Sequence, residues 1–196
     1  MREVILASQS PRRQELLQRL VPSFSVQPAD IDESMNPEMT PEQAVCDLAR
    51  RKAQAIAQSH PQSLVIAADT IVVCDTIFGK PEDEADAARM LRSLSGRAHQ
   101  VMTAVSVAGD GRDKTEVSVT DVHFRPMSET EIADYIATGE PMDKAGSYGI
   151  QGYGAIFVDH LEGDYFSVMG LPLCALARML AECGVSILRE KEAPEG

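Results

Sequence analysis

Four consecutive apolar residues, VILA at positions 4–7, give way to Ser8-Gln9-Ser10 and then to Pro11. A run of this length reads as a short buried strand, and Pro11 behind Ser10 reads as the first helical position behind an N-cap, opening a helix over 11–20. Periodicity then lapses over residues 21–39, which carry Asp30, Asp32 and Glu33. It resumes at Thr40-Pro41-Glu42-Gln43, a Thr-x-x-Gln capping box that starts a helix running to about residue 58. Residues 64–73 are apolar and β-branched and predict a buried strand, followed by a tight connection to Gly79-Lys80-Pro81. An acidic-capped helix is predicted over 84–94, stopped by Gly96.

The second half changes character. Residues 99–108 and 115–125 predict a hairpin around the polar turn GDGRDK. Ser128 and Glu131 form a second capping box, opening a helix that Gly139 ends. Residues 140–154, EPMDKAGSYGIQGYG, read as a long glycine-rich loop. Residues 155–161 and 165–168 are expected to pair as strands across Glu162-Gly163-Asp164, and a last helix is expected over 172–183. Alternating strands and helices followed by hairpins predict an α/β fold, a mixed twisted sheet with helices whose two lobes enclose a cleft. No linker interrupts it, so residues 1–188 read as one domain, with a disordered tail over 189–196.

Composition narrows the partners. The chain is 44% hydrophobic and 24% charged, ordinary for a globular protein, but its formal net charge is −12. A surface this acidic repels nucleic-acid polymers and anionic membranes, and 5% aromatics with no Trp leaves few stacking platforms for single strands. The first twenty residues run the other way, with Arg2, Arg12, Arg13 and Arg19 against Glu3 and Glu15. Basic charge is thus placed for a small anion. Cys46, Cys74, Cys174 and Cys183 make no C-x-x-C pair and read as reduced, mostly buried thiols of a cytoplasmic protein. The same setting is expected from an N-terminus with no signal-peptide pattern and the want of any membrane-spanning run. His60, His99, His123 and His160 are scattered without zinc-ligand spacing.

Three places contradict the element they occupy. Asp69 interrupts the strand LVIAADTIVV, where a carboxylate needs a cation, a metal or a set of donors, unless it bonds backbone near a strand end. Lys52 falls on the apolar stripe Val45, Leu48, Ala49, Ile56, so that it either snorkels out or points its ammonium into a polar cleft. Arg12 and Arg13 occupy a helix start that would sooner hold acids. They are either a solvated helix start or, with the hydroxyls of Ser8 and Ser10 and the helix N–H groups, an anion site suited to phosphate. Gly146, Gly149, Gly152 and Gly154 match neither common phosphate-loop fingerprint, and a flexible turn is the plain alternative. Cations for phosphate oxygens beside carboxylates that can hold a metal or activate water are the equipment of phosphoanhydride hydrolysis.

The order LASQSPRRQELL, AADTIVV, GKP, LSGRAHQVMTAV, TGEPMDKAGSYGIQGYGA and GDYFSVMGLPL resembles the Maf family of nucleoside triphosphate pyrophosphatases over nearly the whole chain. The resemblance implies a Maf/ITPase-like fold, a homodimer, and hydrolysis between the α and β phosphates to a monophosphate and pyrophosphate with a divalent cation, Mg or Mn. It places the water-activating base on Asp69, phosphate contacts on Ser8, Arg12, Arg13, Lys52 and Lys80, and an acidic position near the metal on Glu33, so that Glu33 and Asp69 form the metal pair. Asp143 and Lys144 fall in the block that closes over substrate. Arg12, Thr70 and Gln151 match the branch assigned to dTTP and UTP, whereas the 7-methyl-GTP branch reads differently at all three. The family is also associated with septum formation, which leaves a nucleotide-binding regulator as the alternative. The chain departs from the family in the connection after DTIVV, which reads VCDTIFGK and is one residue shorter.

Overall fold

The computed structural model describes residues 3–185 and residue 187; the predicted tail over 189–196 lies outside the described residues. A seven-stranded mixed sheet runs through the molecule in the order β2-β1-β3-β5-β6-β7, with β4 paired to β3. Its strands are β1 (Val4–Leu6), β2 (Ser25–Val26), β3 (Leu64–Cys74), β4 (Thr76–Phe78), β5 (Ala98–Gly109), β6 (Arg112–Phe124) and β7 (Val158–Glu162). Strand β1 lies parallel to β2 and β3, and the ladders from β3 through β5 and β6 to β7 are antiparallel. The helices are α1 (Pro11–Gln18), α2 (Pro41–Ala57), α3 (Glu84–Leu94), α4 (Glu129–Ala137), α5 (Tyr165–Met169) and α6 (Leu173–Glu182).

The helix starts follow their local chemistry. Thr40 and Gln43 exchange both bonds of the capping box ahead of α2, as do Ser128 and Glu131 ahead of α4. Ser10 caps α1 with Pro11 behind it. Alternation along β3 then sorts the core. Leu64, Ile66 and Ala68 face the cluster built with α1 and α6, whereas Val65, Ala67 and Ile71 pack on the opposite face under α2. A separate cluster joins α3 and α4 to the far ends of β3, β5 and β6 around Leu91, Leu94, Phe124 and Ile132, forming the second lobe.

Several elements differ from expectation. Residues 165–168 are helical rather than extended: Asp164 accepts from the Phe166 N–H at 2.9 Å and starts α5, which Gly170 ends at φ 108°. Four residues, one of them Ser167, are too few for periodicity to separate strand from helix, and here the cap decides. Residues 153–157 form a 3-10 turn, and β7 pairs with β6 instead of with the segment that follows it. The β5–β6 turn is only Asp110-Gly111, both at positive φ, the Asp-Gly preference of a two-residue hairpin, so the strands stay paired further into the turn than GDGRDK implied. The short connection after β3 is itself a hairpin to β4 through Asp75 at φ 60°. Of the four thiols, Cys74 and Cys183 are buried, Cys46 is half-buried and Cys174 is exposed.

One consequence of the topology positions the site. On one edge β3 pairs with β5 without a break from Val65 to Val73. On the other it pairs with β1 only at residues 64–66 and with β4 only at residues 72–74. Between them β3 borders a gap in the sheet, and residues on both of its faces reach the same opening.

Candidate active site

At that gap lies a cleft of about 960 Å³. Asp69 and Thr70 are consecutive in β3 and therefore project to opposite faces, yet both line the cleft. Asp69 shares its face with Val65, Ala67 and Ile71 and so looks at α2, where Lys52 is the one position of the buried stripe that carries charge. The Lys52 ammonium lies 2.7 Å from Asp69 Oδ1 and 3.0 Å from Glu33 Oε1. The lysine is 7% exposed and Asp69 9%, so of the two readings of Lys52 the cleft is the one realised. Burial of an ion pair is costly unless both members are well bonded, which makes this pair an unusual investment for a strand interior.

Thr70 looks the other way, toward α1. Its hydroxyl meets Thr103 Oγ1 at 2.9 Å and accepts from Arg13 Nη2 at 3.2 Å, while Arg13 Nε donates to the Gly170 carbonyl at 2.8 Å and Nη1 reaches Ser8 Oγ at 3.5 Å. Thr103 donates in turn to the Ser167 carbonyl at 2.7 Å. Burial works against the Arg13 charge and lowers its pKa, and the Asp69 carboxylate opposes that shift. The two adjacent arginines thus part company: Arg13 is locked beside the sheet, whereas Arg12 leans across the opening to Asp143 at 3.6 Å.

The opposite wall is residues 140–154, which fold into short 3-10 turns instead of an open loop. Lys80, Asp143, Lys144 and Gln151 line the cleft from this side. The Lys144 ammonium is held by the Glu140 carbonyl and by Asp143 Oδ1, each at 2.6 Å. All the residues singled out from the sequence, Ser8, Arg12, Arg13, Glu33, Lys52, Asp69, Thr70, Lys80, Asp143, Lys144 and Gln151, border this one cleft.

Two groups beside the cleft escaped sequence reasoning. Glu140 accepts from the Tyr135 hydroxyl at 2.8 Å and from the backbone N–H groups of Tyr153 at 2.8 Å and Gly154 at 3.1 Å; Tyr135 in turn accepts from the Gly149 N–H at 3.0 Å. Burial alone would raise the Glu140 pKa, but the donors of Gly154, Tyr153 and Tyr135 outweigh it and hold the carboxyl below its ordinary value. A Cβ on Gly152 would lie 2.1 Å from the Glu140 carboxylate and one on Gly149 would lie 2.7 Å from the Lys144 stem. These glycines are therefore required by close approach rather than by flexibility. A Glu immediately ahead of a glycine-rich run was the available signal.

The second group is His99, buried in β5. Its Nε2 meets the Tyr148 hydroxyl at 2.8 Å, and its Nδ1 is buried without a partner among the described residues. Burial lowers its pKa to about 4, and burial likewise pushes the Tyr148 hydroxyl up. Tyr148 lines the cleft, so His99 underpins the wall where it meets the sheet.

Comparison with known proteins agrees with this architecture. A family model described as "Maf-like protein" matches residues 3–183. A dTTP/UTP pyrophosphatase of Geobacillus sp. (strain WCH70) is 51% identical over 185 residues, covering 94% of this chain and 100% of the relative. A dTTP/UTP pyrophosphatase of Syntrophomonas wolfei is 48% identical over 189 residues, covering 95% and 100%. Among solved structures, a HAM1 protein from Coxiella burnetii aligns with a TM-score of 0.52 at 17% identity over 93% of this chain and 100% of that one, a likeness of fold alone.

Proposed function

This chain belongs to the Maf-like protein family, and on that premise we propose that it hydrolyses the α-β phosphoanhydride of dTTP and UTP to the monophosphate and pyrophosphate. The observation that carries the reading is the Asp69–Lys52 pair set at the sheet gap opposite the fixed guanidinium of Arg13. A triphosphate lying across the gap meets Arg13 and Lys52 from the two faces of β3, with Arg12 and Lys80 at the opening. Asp69 takes the proton of a water whose oxygen bonds to phosphorus as the bridging P–O bond breaks, and pyrophosphate departs.

A divalent cation, Mg or Mn, belongs to the same proposal. Asp69 and Glu33 converge on one ammonium at 2.7 and 3.0 Å, and such an all-oxygen pair, completed by phosphate oxygens and water, suits a hard cation. When bound, it would offset charge on the phosphate oxygens. In this structure Lys52 bridges the two carboxylates.

Base choice is assigned to Gln151, exposed on the segment that Glu140 fastens. A glutamine amide offers an acceptor and donors side by side, matching the N3–H and a ring carbonyl of thymine or uracil; a glutamate offers acceptors only. An unpaired buried polar group costs roughly 1–3 kcal/mol, which sets the discrimination per wrong base at about ten- to a hundredfold. The test is pyrophosphate release from dTTP, UTP, GTP, ATP and 7-methyl-GTP with Mg²⁺ or Mn²⁺, for wild type and Gln151→Glu. The pyrimidine nucleotides should lead and the substitution should erode that lead. A higher kcat/KM for 7-methyl-GTP than for dTTP would remove both the substrate assignment and the role of Gln151, and nucleotide binding with no hydrolysis would favour a regulator.

The proposal extends to a cytoplasmic homodimer acting on free nucleotides. Tyr153 and Ile156, 67% and 62% exposed, are the apolar groups a second copy would cover. Sedimentation velocity of wild type and Ile156→Glu reads the assembly directly. No described helix is long and apolar enough to cross a membrane.

A further inference from the structure

The histidines looked scattered in sequence, but strand pairing brings two of them together. His123 of β6 lies directly opposite His160 of β7, and Asp121 lies opposite Glu162, so all four side chains share one face of the sheet edge. The two imidazoles are stacked, with ring centroids 4.0 Å apart and planes 14° apart. Each Nε2 lies 3.9 Å from the same oxygen, Glu162 Oε1. None of these residues lines the cleft.

The hydrogen-bond roles decide what this cluster is for. His160 Nδ1 sits 3.0 Å from Asp159 Oδ2. An ionised carboxylate only accepts, so Nδ1 carries the proton, and in the neutral ring Nε2 is left with a lone pair. The group nearest that nitrogen across the strand, Glu162 Oε1, also only accepts. At 3.9 Å the separation is too long for a hydrogen bond even if a proton were added. It is close to the span of two ligands on one metal: nitrogen and oxygen at about 2.1 Å from a tetrahedral ion are roughly 3.4 Å apart, so each nitrogen–oxygen pair must contract by about half an ångström, through rotation of the half-buried His123 and the exposed His160 and Glu162. The ligand atoms of His123, His160 and Glu162 all lie within 4.8 Å of one another. Asp159 holding the far nitrogen of a ligating histidine is the carboxylate support such sites use to fix ring orientation.

We propose that His123, His160 and Glu162 form a binding site for a divalent transition metal of the zinc class, oriented by Asp159 and lying on the opposite side of β5 from the cleft. Imidazole ligands select this class over Mg²⁺, which takes oxygen. The site joins the edge strand β7, five residues long and, among the described residues, paired to β6 alone, to its neighbour through side chains as well as backbone. The bound ion is a clip on an exposed sheet edge. Asp121, half-buried beside Glu162, is the nearest further carboxylate on that face.

The experiment titrates Zn²⁺ into the full chain by calorimetry at pH 7.5 in the presence of excess Mg²⁺, which fills oxygen sites and leaves nitrogen sites open. Ni²⁺ or Co²⁺ is then added while the histidine ring resonances are followed by NMR. One equivalent should bind, with selective broadening of the His123 and His160 signals. His160→Ala and His123→Ala should each weaken binding by about a hundredfold or more, and Asp159→Asn by about tenfold, the usual range for an outer carboxylate. His160 is exposed, so His160→Ala should keep the metal-free melting temperature of the wild type and separate lost binding from lost fold. Absence of Zn²⁺ binding under these conditions, or binding that survives both histidine substitutions, overturns the site.

Discussion

On the floor of the cleft, Asp69 and Thr70 sit in a strand paired to β5 over nine consecutive register positions, and Arg13 is held by a carbonyl and two hydroxyls. On its rim, Gln151 sits in a segment with no strand or α-helix, held in place by one carboxylate, Glu140, and one phenol, Tyr135. The floor rests on a continuous main-chain ladder, and the rim on side chains with a few local backbone turns. On the proposed reading, the charge offered to a phosphate is thus built into the least deformable part of the fold, and the group assigned to base choice is carried where substitutions can change it without disturbing the sheet. The two regions should fail differently: floor substitutions through kcat, rim substitutions through KM and specificity.

The sharpest break is Asp69→Asn. Loss of a general base costs about 10²–10⁴ in rate, and turnover should fall by that order while nucleotide binding survives, because Asn keeps an oxygen for Lys52 and the phosphate contacts are untouched. Pyrophosphate release and calorimetric binding on the same protein separate the two. Equal turnover would remove Asp69 from the chemistry.

Where rim meets floor, His99 makes the fold acid-sensitive. Its folded pKa of about 4 is below the unfolded value near 6.5, so the unfolded chain binds the extra proton between them. The stability that a neutral His99 contributes is fully present above pH 6.5 and is lost as pH falls toward 4. Down to pH 4.5, before most carboxylates titrate, the loss should be about 2–3 kcal/mol. Urea midpoints at pH 7 and 4.5 for wild type and His99→Gln check this, since the substitution should flatten the difference. An unchanged slope would place the acid sensitivity elsewhere.

Lys52→Met sets local pattern against tertiary contact. From the sequence, a long apolar side chain on that helix face keeps or raises stability. In the structure the same change strips Asp69 of its ammonium, and a carboxylate left at 9% exposure should cost about 1–3 kcal/mol beside a wet cleft. Turnover should fall as well. The pair is identified by a double-mutant cycle: Lys52→Met with Asp69→Asn should be more stable than Lys52→Met alone, and simple additivity would deny the coupling.

That contrast marks how far the sequence reaches. Thr40-Pro41 and Ser128-Glu131 announce their helices because capping is decided within four residues. Asp69 and Lys52 are visible as violations of local pattern, and a violation needs no knowledge of the partner. Which partner resolves it is a tertiary fact: that Lys52 also meets Glu33, or that Arg13 turns inward while Arg12 does not, depends on a gap in the sheet that no local window encodes. The same holds for His123 and His160, which lie far apart in sequence and are joined by strand register. Residues 165–168 fail for the opposite reason, since four residues carry too little period to outweigh one cap at Asp164.

The smallest and most diagnostic change is on the rim. Glu140→Gln preserves size and one acceptor, but its NH₂ must face a donor, either the Tyr135 hydroxyl and the Gly154 N–H at the Oε1 position or the Tyr153 N–H at the Oε2 position. The segment holding Gln151 loses a charged anchor, yet nothing on β3 or α2 moves. Only part of the 1.5–3 kcal/mol worth of a charged hydrogen bond should reach the bound base, because the glycine turns around Gly149 and Gly152 keep their shape. We expect KM for dTTP to rise by up to about tenfold, near 1.4 kcal/mol, with kcat within about twofold of wild type and the preference for dTTP over GTP reduced. Asp69→Asn should do the reverse, lowering kcat and leaving the preference intact. Steady-state kinetics of both variants on both nucleotides decide the matter: a fall in kcat without a change in KM for Glu140→Gln would mean that rim and floor are one mechanical unit.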